Sequence, residues 1–235
     1  MREKVNAHDN FDQFAHTYRD LHTENVKLSG ADSEYFSEFK AKDLARIKPV
    51  KAVDILDLGC GDGTMGKFLV KHMAGCRLSG IDISEESVVV AQERGLEKAE
   101  FRPYDGTTIP YPDAQFDICT IATVLHHIDH ALHPALMLEV NRVLKPGARI
   151  YIYEHNPYNP VTRHMVDTCP FDADAVLLTP GYSKGLLRQA GFSKVTNRFV
   201  LFMPRGGVFK ALLWMEKLLE WLPVGGQFIT RGVKG

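Results

Sequence analysis

Residues 53–64 read Val-Asp-Ile-Leu-Asp-Leu-Gly-Cys-Gly-Asp-Gly-Thr, a buried-strand pattern running straight into a loop with glycine at every second position, Gly59, Gly61 and Gly63. Glycines at this spacing let the backbone turn sharply and let a ligand approach the main chain closely. A helix starting near Gly63 offers unpaired N–H groups to a polar ligand. A dinucleotide loop of the form Gly-x-Gly-x-x-Gly needs its third glycine at position 64, where this chain has Thr64. The segment therefore predicts a nucleoside cofactor and argues against NAD or FAD.

The next apolar run, Arg77-Leu-Ser-Gly-Ile-Asp82, reads as a second strand ending in a carboxylate, 19 residues beyond Gly63. An acid at that place can accept both hydroxyls of a ribose, with charge-assisted hydrogen bonds of about 1.5–3 kcal/mol each. NAD enzymes use the same device, so Asp82 specifies a ribose and not a particular nucleoside. A third station follows at Phe101-Arg-Pro-Tyr-Asp105-Gly106, a strand ending in an Asp-Gly turn. That turn can sit beside an adenine amino group, and it is equally an ordinary turn signal.

These three stations in order resemble the class I S-adenosylmethionine-dependent methyltransferases, in particular the small-molecule branch with the ubiquinone/menaquinone C-methyltransferases. The resemblance spans roughly residues 50–155. It extends through Ala114-Gln-Phe-Asp117 before a strand, Val124-Leu-His-His-Ile128 after it, and Asn141-Arg-Val-Leu-Lys-Pro-Gly147 before the next. It implies a Rossmann-like, seven-stranded, mostly parallel sheet with helices on both faces and an N-terminal helical lid. It also implies S-adenosylmethionine as cofactor, S-adenosylhomocysteine as product, and a small-molecule acceptor. Carried over, Gly59, Gly61 and Gly63 line the methionine part, with Asp57 and Thr123 among the cofactor-binding residues. Asp82 holds the ribose, Ile83 packs on the adenine, and Asp105 with Gly106 lies beside it. Tyr18 resembles the tyrosine that related enzymes fold over the methionine carboxylate; as a plain amphipathic helix, residues 8–21 would instead pack on the sheet.

Composition narrows the remaining classes. A chain of 235 residues with 45% hydrophobic content supports one well-buried α/β domain. The expected division is a helical lid over 1–48, a cofactor-binding core over 49–155, and an acceptor side that completes the sheet over 156–235. A formal net charge of −1 provides no general attraction to polyphosphate, which speaks against a nucleic-acid substrate. Cys60, Cys76, Cys119 and Cys169 show no Cys-x-x-Cys spacing, so free thiols in a reducing, cytoplasmic compartment are expected, with neither a disulfide nor a metal site. No run of 18 apolar residues suggests a transmembrane segment.

Strand-like runs near 53–58, 77–82, 99–102, 116–122, 148–154, 194–202 and 226–231 alternate with helical patterns near 8–21, 32–47, 63–73, 84–94, 130–143, 183–190 and 207–221. Residues 155–182, rich in proline, read as irregular. Ligands of open α/β sheets bind beyond the carboxyl ends of the strands. That rule nominates His126 and His127 after the fourth strand, Glu154, His155 and Asn156 after the fifth, and Phe11, Tyr18 and Tyr35 from the leading helices. His127 and His155 are the candidate catalytic bases, since a neutral imidazole accepts a proton near neutral pH; both also suit a shape-and-hydrogen-bonding role. The segment 154–174, with Tyr158, Arg163, His164, Phe171, Asp172 and Asp174, either selects the acceptor or forms a lid. The apolar face of 208–222 packs on the sheet or, alternatively, meets a second copy or a lipid surface. Rival functions on the same scaffold are an aminopropyl transferase, a cofactor-binding protein without turnover, and an RNA methyltransferase.

Overall fold

The computed structural model describes residues 33–47, 52–203 and 213–235. Seven strands form one sheet: β1 (Asp54–Leu58), β2 (Arg77–Asp82), β3 (Ala99–Pro103), β4 (Phe116–Ala122), β5 (Leu144–His155), β6 (Phe192–Val200) and β7 (Gln227–Lys234). Their order is β3-β2-β1-β4-β5-β7-β6. The first five pair in parallel, and β7 runs antiparallel between β5 and β6. The central strands are nearly continuous apolar runs because both faces of a parallel sheet are covered.

Helices cover those faces. On one side lie α1 (Ser33–Ala45), α2 (Thr64–His72) and α3 (Glu85–Glu93); on the other lie α4 (His133–Val143) and α6 (Pro180–Gln189), and α5 (Pro160–Asp167) and the short α7 (Glu216–Leu219) come from the later part of the chain. One core cluster joins Ile55, Phe68, Leu69, Val88, Phe101 and Tyr153; the other joins Leu56, Leu58, Ile121, Leu136, Val140 and Leu186. Alternation along β1 thus sends Ile55 to one layer and Leu56 and Leu58 to the other. In α2 the buried Met65, Phe68 and Leu69 recur at helical spacing and make one apolar stripe. Burial of each such side chain contributes about 1.5–3 kcal/mol.

Helix α1 is docked on α2 by Glu34–Lys67 at 3.0 Å and Glu38–His72 at 2.9 Å. Its inner side also reaches the sheet: the Tyr153 hydroxyl donates to Asp43 Oδ2 at 3.2 Å, and Arg198 pairs with the same oxygen. The first predicted helix, with Phe11 and Tyr18, lies outside the described residues.

One expectation needs correction. The stretch after residue 155 is not irregular throughout, because Asn159 caps α5 by accepting from the Thr162 N–H and Pro160 supplies its fixed φ at the first helical position. The last strand, expected near 226–231, completes the sheet from within: β7 inserts between β5 and β6, with Tyr153 opposite Ile229 and Phe199 opposite Phe228. Of the helix expected over 207–221, the described part is a single 3₁₀ turn followed by α7.

Candidate functional site

The strand order reverses between β1 and β4, since β2 and β3 lie to one side of β1 and β5 lies beyond β4. A crevice at the carboxyl ends of these two strands is where an open α/β sheet binds its ligand. The glycine loop leaves β1 into that crevice, and Gly59, Gly61 and Gly63 all take positive φ, 76°, 49° and 73°. A Cβ on Gly59 would stand 2.3 Å from Val124 Cγ2, and one on Gly63 would stand 2.9 Å from the Ala91 Cβ. At Gly61 nothing lies within 4 Å of that position. Two glycines therefore permit close packing of the loop on its neighbours, and the middle one leaves open space over the main chain.

Asp82, at the end of β2, closes the far side of the loop. Its Oδ2 accepts the Gly61 N–H at 2.8 Å and its Oδ1 accepts the Ser84 N–H at 3.0 Å. Each carboxylate oxygen can accept a second bond, which is the capacity a ribose diol needs. Arg94 fastens the other end of the loop, reaching Asp62 Oδ2 at 2.6 Å and the Thr64 hydroxyl at 2.8 Å. Ile83 lies beside Gly106, whose added Cβ would be 3.4 Å from Ile83 Cγ2. Asp105 turns the chain there: its Oδ1 accepts the N–H groups of Thr107 and Thr108, both at 2.8 Å, and these bonds hold the carboxyl below its ordinary range. The structure thus brings Gly61, Asp82, Ile83, Asp105 and Gly106 along one side of the crevice, at the ends of β1, β2 and β3.

Asp57, one residue inside the end of β1, is 1% exposed. Neither carboxylate oxygen has a hydrogen-bond partner among the described residues. Burial and the neighbouring Asp82 push its pKa up to about 7, against the pull of Lys40. Lys40 is buried on α1, and burial draws its ammonium down to about 8 while Glu154 and Asp57 oppose the shift. Lys40 carries no local sequence signal, because it sits in a helix full of charged residues.

On the other side of the crevice, Thr123 takes φ 57° directly after β4, a conformation that costs a β-branched residue about 1–3 kcal/mol. The 3₁₀ turn Leu125–His127 follows. His126 Nδ1 lies 2.6 Å from Glu154 Oε2, and the other oxygen of Glu154 accepts the Leu125 N–H at 3.0 Å. Asp172 comes from the segment after β5, with Oδ1 at 3.3 Å from His127 Nε2 and 3.7 Å from His126 Nε2. The Val176 N–H, donating to the His126 carbonyl at 2.8 Å, holds that segment in place. Burial works against a charged His126, but Glu154 and Asp172 outweigh it and raise the imidazole to about 9. His155, at the end of β5 and 5.3 Å from the His126 ring, is held down to about 3 by burial and by His126. Residues nominated from strand ends therefore meet here, and Asp172 joins them across long sequence separations.

Residues 55–147 match the family model described as "Methyltransferase domain". The chain is 33% identical over 163 residues to the 2-phytyl-1,4-naphtoquinone methyltransferase of Synechococcus elongatus, which covers 66% of this chain and 66% of that relative. It is 31% identical over 151 residues to the 27-O-demethylrifamycin SV methyltransferase of Amycolatopsis mediterranei, covering 60% of this chain and 54% of that one. A solved S-adenosylmethionine-dependent methyltransferase of Thermotoga maritima superposes with a TM-score of 0.69 at 18% identity, over 97% of this chain and all of that one. With the glycine loop, the strand-end acid and the seven-stranded order already in place, residues 55–147 are a methyltransferase domain, on a fold shared with S-adenosylmethionine-dependent methyltransferases.

Proposed function

We propose that this protein moves the methyl group of S-adenosylmethionine onto an oxygen, nitrogen or carbon of a small-molecule acceptor by in-line displacement, releasing S-adenosylhomocysteine. The observation that carries the reading is the Asp82 carboxylate, held against the open Gly61 main chain at the point where the strand order reverses. Asp82 takes the ribose, Ile83 with Asp105 and Gly106 the adenine, and the glycine loop with Asp57 and Thr123 the methionine portion. The acceptor enters from the side of His126, His127 and Asp172, which residues 156–235 help to build. Relatives named for a naphthoquinone and for a rifamycin support a small organic acceptor. Four buried free thiols fit a reducing compartment, the cytoplasm.

The sulfonium already activates the methyl group, so alignment is the protein's main contribution. Near-attack positioning supplies up to about 7–11 kcal/mol, and a placed base adds about 10²- to 10⁴-fold. His127 is the better candidate for that base, because Asp172 Oδ1, 3.3 Å from its Nε2, orients the ring on the acceptor side. His155, held neutral, fits shaping of the pocket.

A thermal-shift comparison of S-adenosylmethionine, S-adenosylhomocysteine and NAD tests the reading. Ligand at about 100 times its Kd stabilises by about 2.7 kcal/mol. For a chain of this size that is about 5–11 °C. A rise with both sulfur nucleosides and none with NAD is expected; a rise with NAD alone overturns the proposal.

A further inference from the structure

His126, His127 and Asp172 each place one ligand atom within 4.8 Å of the others, in a group that the cofactor does not need. Two of the separations, 3.3 and 3.7 Å from Asp172 Oδ1 to the Nε2 atoms, bracket the edge of a tetrahedron around a zinc ion. With Zn–N and Zn–O bonds of about 2.0–2.1 Å that edge is about 3.4 Å. The surroundings are those of a ligand set. His126 turns Nδ1 to Glu154 at 2.6 Å, which fixes the ring and aims Nε2 at Asp172; a metal-bound histidine almost always has its other ring nitrogen held in this way, by a carboxylate, a backbone carbonyl or water. Glu154 is itself fully buried and is fixed by the Leu125 N–H. The cluster borders solvent at Asp174, whose carboxylate is 54% exposed and stands 3.9 Å from His127 Nδ1.

We propose that His126, His127 and Asp172 form a binding site for a divalent transition-metal ion, two imidazoles and one carboxylate, with the remaining positions open to water or to an oxygen of the acceptor. Two nitrogens and one oxygen suit zinc, cobalt(II), manganese(II) or iron(II). The ion polarises a coordinated acceptor hydroxyl, which loses its proton to solvent, and the oxygen stays on the ion while the methyl group is transferred to it or to a carbon it activates. This role rests on the methyl-transfer reading; the binding of the ion does not. Proton and metal compete for the same nitrogens, so the loaded protein transfers proton handling from His127 to the ion.

The 235-residue chain, stripped with EDTA and dialysed, is titrated with zinc by calorimetry and with cobalt(II) by visible absorption. One ion per chain, bound with proton release, is expected. His127→Ala and Asp172→Asn, checked for folding by their thermal midpoints, should each weaken zinc at least tenfold. Absence of stoichiometric uptake of zinc, cobalt, manganese and iron(II), or uptake undiminished in both variants, overturns the site. So does a cobalt–thiolate charge-transfer band, which would put the ion on cysteine; this spectrum decides the matter if the variants do not fold. Metal binding without a thermal shift from S-adenosylmethionine would leave the site standing and sink the methyl-transfer reading, and the converse result would do the reverse.

Discussion

The Gly61 N–H donates to Asp82 Oδ2 at 2.8 Å, so the residue offered to the ribose also fastens the loop that carries the methionine portion. Asp82→Ala therefore removes two things at once. The variant should bind S-adenosylmethionine at least tenfold more weakly by calorimetry, and it should lose about 1–3 kcal/mol of stability because the Gly61 and Ser84 N–H groups lose their acceptor. Unchanged affinity would remove Asp82 from the cofactor site.

The three loop glycines should respond differently to one methyl group. Gly59→Ala drives a Cβ to within 2.3 Å of Val124 Cγ2 in a left-handed backbone, which costs about 2–4 kcal/mol and lowers Tm. Gly61→Ala meets no atom within 4 Å and bears only the backbone strain, about 1 kcal/mol. Its effect should fall on cofactor affinity instead, since the methyl group occupies the space left for the ligand. Chemical denaturation paired with calorimetry on both variants separates the two losses; equal stability loss at both positions would refute this division.

The glycine loop, Asp82 and the Asp105 turn are legible in the sequence because their geometry is local: positive φ selects glycine, and a strand end positions the acid that follows it. Helix α5 is legible too, in Asn159-Pro160, but Pro157, Pro160 and Pro170 read more readily as breakers than as a cap and a first turn. Nothing local announces the insertion of β7, since the pairing of Tyr153 with Ile229 depends on packing of distant segments. The same holds for the cluster on the acceptor side. His126 meets Glu154 across 28 positions, and Asp172 approaches both histidines only because the segment after α5 folds back onto the turn after β4. Cysteine spacing, the signal that suggests metal in a sequence, has no bearing on a histidine–carboxylate set assembled from two distant segments.

The attachment of α1 to the sheet rests on Asp43, which is 4% exposed and takes Arg198 and the Tyr153 hydroxyl together. Arg198→Met leaves that carboxylate buried without its main cation, and loss of one partner of a buried pair costs about 3–5 kcal/mol. The solvated pair Lys71–Glu38 should cost under about 1 kcal/mol when Lys71 becomes Ala. Urea denaturation of the two variants measures the difference; similar small losses would show that Asp43 is adequately held by Tyr153 and Arg46.

Asp57 should set the pH dependence of both stability and cofactor binding. Its folded pKa of about 7 stands above the ordinary carboxylate value, so the folded chain holds the proton more tightly than the unfolded one. Between about pH 4 and 7 the unfolded state releases that proton first, and this group's contribution to stability falls as pH rises, becoming constant above 7. Cofactor binding runs the other way. If the unpaired oxygens of Asp57 receive the methionine ammonium, affinity requires the ionised carboxylate and rises about tenfold from pH 6 to the plateau. It declines again once the ligand's α-amino group, with an ordinary pKa of about 7.7–8.0, loses its proton. Calorimetry across pH 5.5–9 should therefore give a bell for S-adenosylmethionine, and Asp57→Asn should flatten its acidic limb while methylthioadenosine, which lacks the amino acid portion, shows no bell with either protein. An acidic limb that survives Asp57→Asn would place the titrating group elsewhere.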